Sequence, residues 1–78
     1  VQDNSMSPII KENSYAFIEI NGLLSHKDIG LFKLNNEIII RRLFFKNDKF
    51  VLKANNKNFK DISISSSDDF QIIGKVYI

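Results

Sequence analysis

The sequence predicts an all-β domain, a small barrel or a set of coiled sheets, on three observations. No stretch keeps a helical period over about ten residues. The apolar residues are β-branched or aromatic and fall in short runs, with seven Phe and two Tyr among 78 residues, a composition that favours strands. Polar dipeptides that accept left-handed backbone geometry separate the runs.

Taken in order, residues 1–13 read as irregular. Pro8 fixes its own φ and pushes Ser7 toward extended geometry, and Lys11-Glu12-Asn13 signals a turn. Ser14 to Ile20 is the first strand, closed by the turn dipeptide Asn21-Gly22. Leu23 to Asp28 connects to a second strand, Ile29 to Leu34. Asn35-Asn36 then predicts a hairpin into a third strand, Glu37 to Phe45. Lys46 to Lys49 is a further turn, and Phe50 to Ala54 the fourth strand. Asn55 to Asp61 is polar and interrupted only by Phe59. Ile62 to Ser65 reads as a short strand and Ser65 to Asp69 as a turn. Phe70 to Ile78 is the last strand, with Gly74 marking a bulge or a close approach.

Two strands carry large apolar groups on both faces. In the third, Ile39, Leu43 and Phe45 alternate with Ile38, Ile40 and Phe44. In the last, Phe70, Ile72, Val76 and Ile78 share one face, and Ile73 and Tyr77 the other. A chain of 78 residues buries about 60–65% of its surface. Apolar strand surface left over would suit a second subunit, and Phe70 to Ile78 is the expected homodimer interface.

Composition excludes several chemistries. There is no Cys, hence no disulfide and no thiolate metal site, and one His, His26, read as a loop residue. No metal and no cofactor are expected. Eleven basic and nine acidic residues give a net charge of +2, too balanced to argue for nucleic acid. Phe44, Phe45, Phe59 and Tyr77 could stack bases, but basic and aromatic residues do not gather on one predicted surface. No apolar run is long enough to span a membrane, and no signal peptide is visible. The first residue is Val1, within what reads as a motif, so the expectation is one domain, residues 1–78, of a longer protein. The abundance of Asn, Lys and Ile suggests a bacterial or phage genome, and the absence of Cys a reducing cytoplasm.

One stretch bears on chemistry: Asp3-Asn4-Ser5-Met6-Ser7-Pro8. A serine hydroxyl needs a base to become a nucleophile. With no useful His, a lysine whose pKa is lowered by burial is the natural partner. Otherwise Ser5 is an ordinary loop residue.

Ser5-Met6-Ser7-Pro8 resembles the nucleophile motif of the S24 peptidases, the C-terminal domains of LexA, of phage lambda-type repressors and of UmuD-like proteins. Glu37-Ile38-Ile39-Ile40-Arg41-Arg42-Leu43 resembles that family's second motif, a strand ending in Lys-Arg-Leu whose Lys is the general base. Phe50 to Phe59 and Asp69 to Val76 resemble the two following blocks, in the family's order and over nearly the whole chain. The resemblance implies a LexA/signal-peptidase-like fold of coiled sheets with a barrel-like core. It also implies Ser5 as the nucleophile position, DNA binding through a separate N-terminal domain, and a RecA filament as a partner.

The departures decide the expected activity. Asp3-Asn4 stands where the family carries Gly-Asp, and Arg41 stands at the position of the catalytic Lys. A guanidinium keeps its proton at neutral pH and cannot serve as the base. Lys33 and Lys46 are the substitutes within reach of the alignment. The leading expectation is a dimerising repressor domain with an impaired Ser-Lys site. The alternative is an active self-cleaving endopeptidase.

Overall fold

The computed structural model describes residues 5–6 and 17–77. Among the described residues six strands form one antiparallel sheet: β1 (Phe17–Ile20), β2 (Ile29–Leu34), β3 (Glu37–Lys46), β4 (Lys49–Lys53), β5 (Ile62–Ser63) and β6 (Phe70–Tyr77). Their order across the sheet is β1-β6-β2-β3-β4-β5. The all-β class and its element order are as expected. The described strands form an open sheet rather than a barrel, with β1 and β5 as its two edges. The chain returns at its end to lay β6 between β1 and β2, a long-range pairing that no local signal encodes.

Two hairpins organise the centre. Asn35 and Asn36 (φ 48° and 72°) join β2 to β3, and Asn47 and Asp48 (φ 50° and 61°) join β3 to β4. Two central residues at positive φ match the right-handed twist of the flanking strands. Asn and Asp tolerate that region better than other side chains do. The Asn21-Gly22 turn works differently: Asn21, not the glycine, takes φ 60°.

The two-residue turns fix register. Leu43 pairs with Leu52 and Phe45 with Phe50, while Phe32 pairs with Ile39. These place Phe32, Leu43 and Leu52 in one core cluster, against which Ile39, Phe50, Ile62 and Phe70 pack. The opposite face holds a smaller cluster of Met6, Ile29 and Val76, with Leu31 and Ile40 against it. β3 is therefore covered on both sides. Phe32 and Leu52 are fully buried, and each such side chain contributes about 1.5–3 kcal/mol.

β6 is irregular where expected. Leu31 pairs with Gly74 but Phe32 with Ile72, so Ile73 is an extra residue on β6. Beside this bulge, a Cβ on Gly74 would lie 2.6 Å from the Glu19 carbonyl oxygen of β1. Gly74 thus serves both as part of the bulge and as the point where two backbones meet.

Candidate functional site

Ser5 and Met6 form a turn, and each is 1% exposed. Met6 anchors the turn in the small core cluster, against Ile29 and Val76 and beside Ile40. The Ser5 carbonyl accepts a hydrogen bond from the Asn56 amide at 2.8 Å. Asn56 opens a tight polar turn: its carbonyl accepts from Phe59 N at 3.1 Å and its side-chain oxygen from Asn58 N at 2.9 Å. A short side chain that satisfies nearby backbone donors is the usual way to build such a turn.

Arg41 approaches the same turn from the sheet. It follows Ile40 on β3, lies opposite Gly30 of β2 and is 6% exposed. Its guanidinium carbon stands 5.5 Å from the centroid of the Phe59 ring, within cation–π range. One of its terminal nitrogens also donates to the Ile40 carbonyl at 3.3 Å. Phe59, the one aromatic in a polar loop, is half-buried over this cation. The 56–59 turn is therefore the common neighbour of Ser5 and Arg41, which are 36 positions apart in the chain. Chemically the neighbourhood holds a buried hydroxyl and a fixed positive charge. A guanidinium donates hydrogen bonds and attracts anions, but accepts no proton.

The two substitute lysines stand elsewhere. Lys46 pairs with Lys49 at the hairpin tip, at the far end of β4 from Asn56. Lys33 pairs with Ile38 and Gln71, three residues from Gly30 along β2, or about 10 Å. Asp3, Asn4, Ser7 and Pro8 lie outside the described residues.

Sequence reading missed a second constellation on the β3–β4 hairpin. On the face opposite Leu43 and Leu52, Arg42 pairs directly with Lys53, Phe44 with Val51, and Lys46 with Lys49. Basic side chains do gather around an aromatic here, contrary to the expectation above. The Lys53 and Lys46 ammonium groups stand 4.7 and 5.9 Å from the Phe44 centroid. His26 meets the ring edge-on at 5.2 Å, with its Nδ1 accepting from Phe45 N at 3.1 Å. Proximity to the Lys53 ammonium holds Lys46 below the ordinary lysine pKa. Arg42 donates to the Lys27 carbonyl at 2.7 Å. Lys27, at φ 76°, also donates its amide to Leu43 O at 2.7 Å. The signal was available: a two-residue turn at Asn47-Asp48 dictates these pairings once it is taken as a hairpin.

Beside Arg42, Asp28 accepts from Ser25 N at 2.8 Å and lies 3.5 Å from Lys75. The Ser25 amide, and after it Lys75 and Arg42, hold this carboxyl below the ordinary carboxylate range.

Residues 1–77 match the model of the family described as Peptidase S24-like. The chain belongs to that family. Among curated proteins, this S24-like chain is similar to a LexA repressor of Magnetococcus marinus, 26% identical over 74 residues. The match covers 95% of the chain and 32% of the relative, so the chain spans about a third of the length of the curated protein it matches. The open all-β sheet is consistent with an S24-like fold. Among the described residues no helix is long and apolar enough to cross a membrane.

Proposed function

We propose that this chain is the regulatory and self-association domain of a cytoplasmic, bacterial or phage-encoded transcriptional repressor, in which self-cleavage is impaired. Ser5 occupies the nucleophile position and Arg41 that of the general base. In this reading DNA recognition belongs to an N-terminal domain elsewhere in a longer protein, and a RecA filament is the candidate inducer. The LexA repressor likeness and the S24-like family support the class. The observation that carries the impairment is the chemistry of Arg41: a buried guanidinium stays protonated across the range in which a serine peptidase works. It can hold the shape of the site, or attract a carboxylate, without taking the serine proton.

The reading is tested on the full-length protein, incubated at alkaline pH and, separately, with a RecA–single-strand filament. The expected result is an intact chain on gel electrophoresis. A cut that disappears in Ser5→Ala would overturn the impairment and favour an active endopeptidase with another lysine as base. Arg41→Lys supplies a group that can deprotonate when buried, and a cut appearing in that variant alone would tie the loss to this one position.

A further inference from the structure

The β3–β4 hairpin carries a face that its own fold does not account for. Register sets Arg42 directly opposite Lys53 and Lys46 opposite Lys49. Directly opposed like charges destabilise a sheet, and this ribbon has two such pairs within five residues of strand. Three carboxylates stand near these four cations: Asp28 beside Arg42, Asp61 3.9 Å from Lys53, and Asp48 in the turn between Lys46 and Lys49. Arg42 additionally pins the carbonyl of Lys27, a bulky residue held at positive φ. Backbone strain of this kind persists only where the surroundings enforce it.

We infer that this face binds the phosphate backbone of duplex nucleic acid. The face is built from the hairpin and its neighbours His26 and Asp61, and stands apart from the reading of Ser5 and Arg41. It also places a nucleic-acid contact within this domain rather than only in a separate one. A polyanion relieves the repulsion between the opposed pairs. Two ammonium groups and His26 crowd Phe44, which closes its ring to stacking and to apolar anchors. A peptide ligand would need such anchors, whereas phosphates need only positioned cations.

The test is fluorescence anisotropy of a labelled duplex of about 25 base pairs and arbitrary sequence, titrated with this chain at several salt concentrations. The expected result is binding whose logarithm falls against log salt with a slope of about 3 to 4, the number of phosphates neutralised. Lys49→Ala lowers the slope by about 1, and Lys46→Ala with Lys49→Ala lowers it by about 2 and weakens binding by more than about tenfold. Lys57→Ala with Lys60→Ala, on the loop beyond β4, leaves it unchanged. Circular dichroism reports whether each variant is folded. Absence of binding at low salt overturns the inference, as does a slope that the double variant does not change. Polyglutamate that displaces the duplex at equal charge concentration would assign the face to an acidic protein segment instead.

Discussion

Asp68 shows how single side chains hold this small sheet together. Its carboxylate accepts from Ser65 N at 2.8 Å, from Ser65 Oγ at 3.2 Å and from Asn35 Nδ2 at 3.0 Å. Asn35 in turn accepts from Asp69 N at 2.9 Å. The β2–β3 turn is thereby clipped to the loop before β6. The Ser65 amide first, and Asn35 second, hold the Asp68 carboxyl below its ordinary value. A depressed carboxyl pKa contributes stability that is complete above the unfolded-state value and lost as pH falls through the folded one. Asp68→Asn should therefore lower the thermal midpoint near neutral pH. Its deficit relative to wild type should shrink in the pH window below the ordinary carboxyl value of 3.8. A deficit that stays constant through that window would assign the loss to geometry rather than to charge. At this scale the sequence spoke unevenly. The paired asparagines announced their turns, because positive φ is a local demand. The Asn35–Asp68 clip joins residues 33 positions apart, and no local rule connects them.

Among the elements, β6 does the most to define the architecture. Ile29 to Leu34 was legible to the residue, because alternation and bounding turns are properties of a short window. The third strand ran one residue longer than expected, and the fourth began one residue earlier at Lys49, since the two-residue turn lets both strands pair up to its edge. The insertion of β6 between β1 and β2 was not legible, because it depends on pairings across most of the chain. Gly74 is where this insertion is most exposed to mutation. A Cβ there meets the backbone of β1 at 2.6 Å, and backbone cannot rotate aside as a side chain can. Gly74→Ala should cost about 1–3 kcal/mol, as overpacking does, read from urea unfolding. A variant within about 0.5 kcal/mol of wild type would mean that β1 shifts freely, as an edge strand with few contacts could. The same reasoning separates the two constellations. The turn that neighbours both Ser5 and Arg41 required the three-dimensional path of the 56–59 loop. The cationic ribbon required only a register that one turn supplies.

At the scale of the whole molecule, several large apolar side chains among the described residues stand exposed. Phe17 is 82% exposed, Ile20 61% and Leu23 92%, and on β6 Ile72 and Tyr77 are 41% and 45% exposed. The expected interface on Phe70 to Ile78 is thereby narrowed. Its backbone is already paired on both sides at Gly74 and Lys75, so β6 can offer a partner only side chains. Tyr77 lies beside Phe17, its register partner, and the apolar surface continues from β6 onto β1. If a second copy covers this surface, light scattering at micromolar concentration should give twice the monomer mass, and Phe17→Ser with Tyr77→Ser should return it to one. A wild-type monomer at that concentration would remove self-association from the function. An open sheet also has two ends, and here they differ. β1 presents four residues rich in apolar side chains, whereas β5 presents two, Ile62 and Ser63. A strand added at one end only pairs two molecules and then stops, while strands added at both ends build a fibre. Among the described residues β5, with two strand residues, offers less edge for such additions than β1.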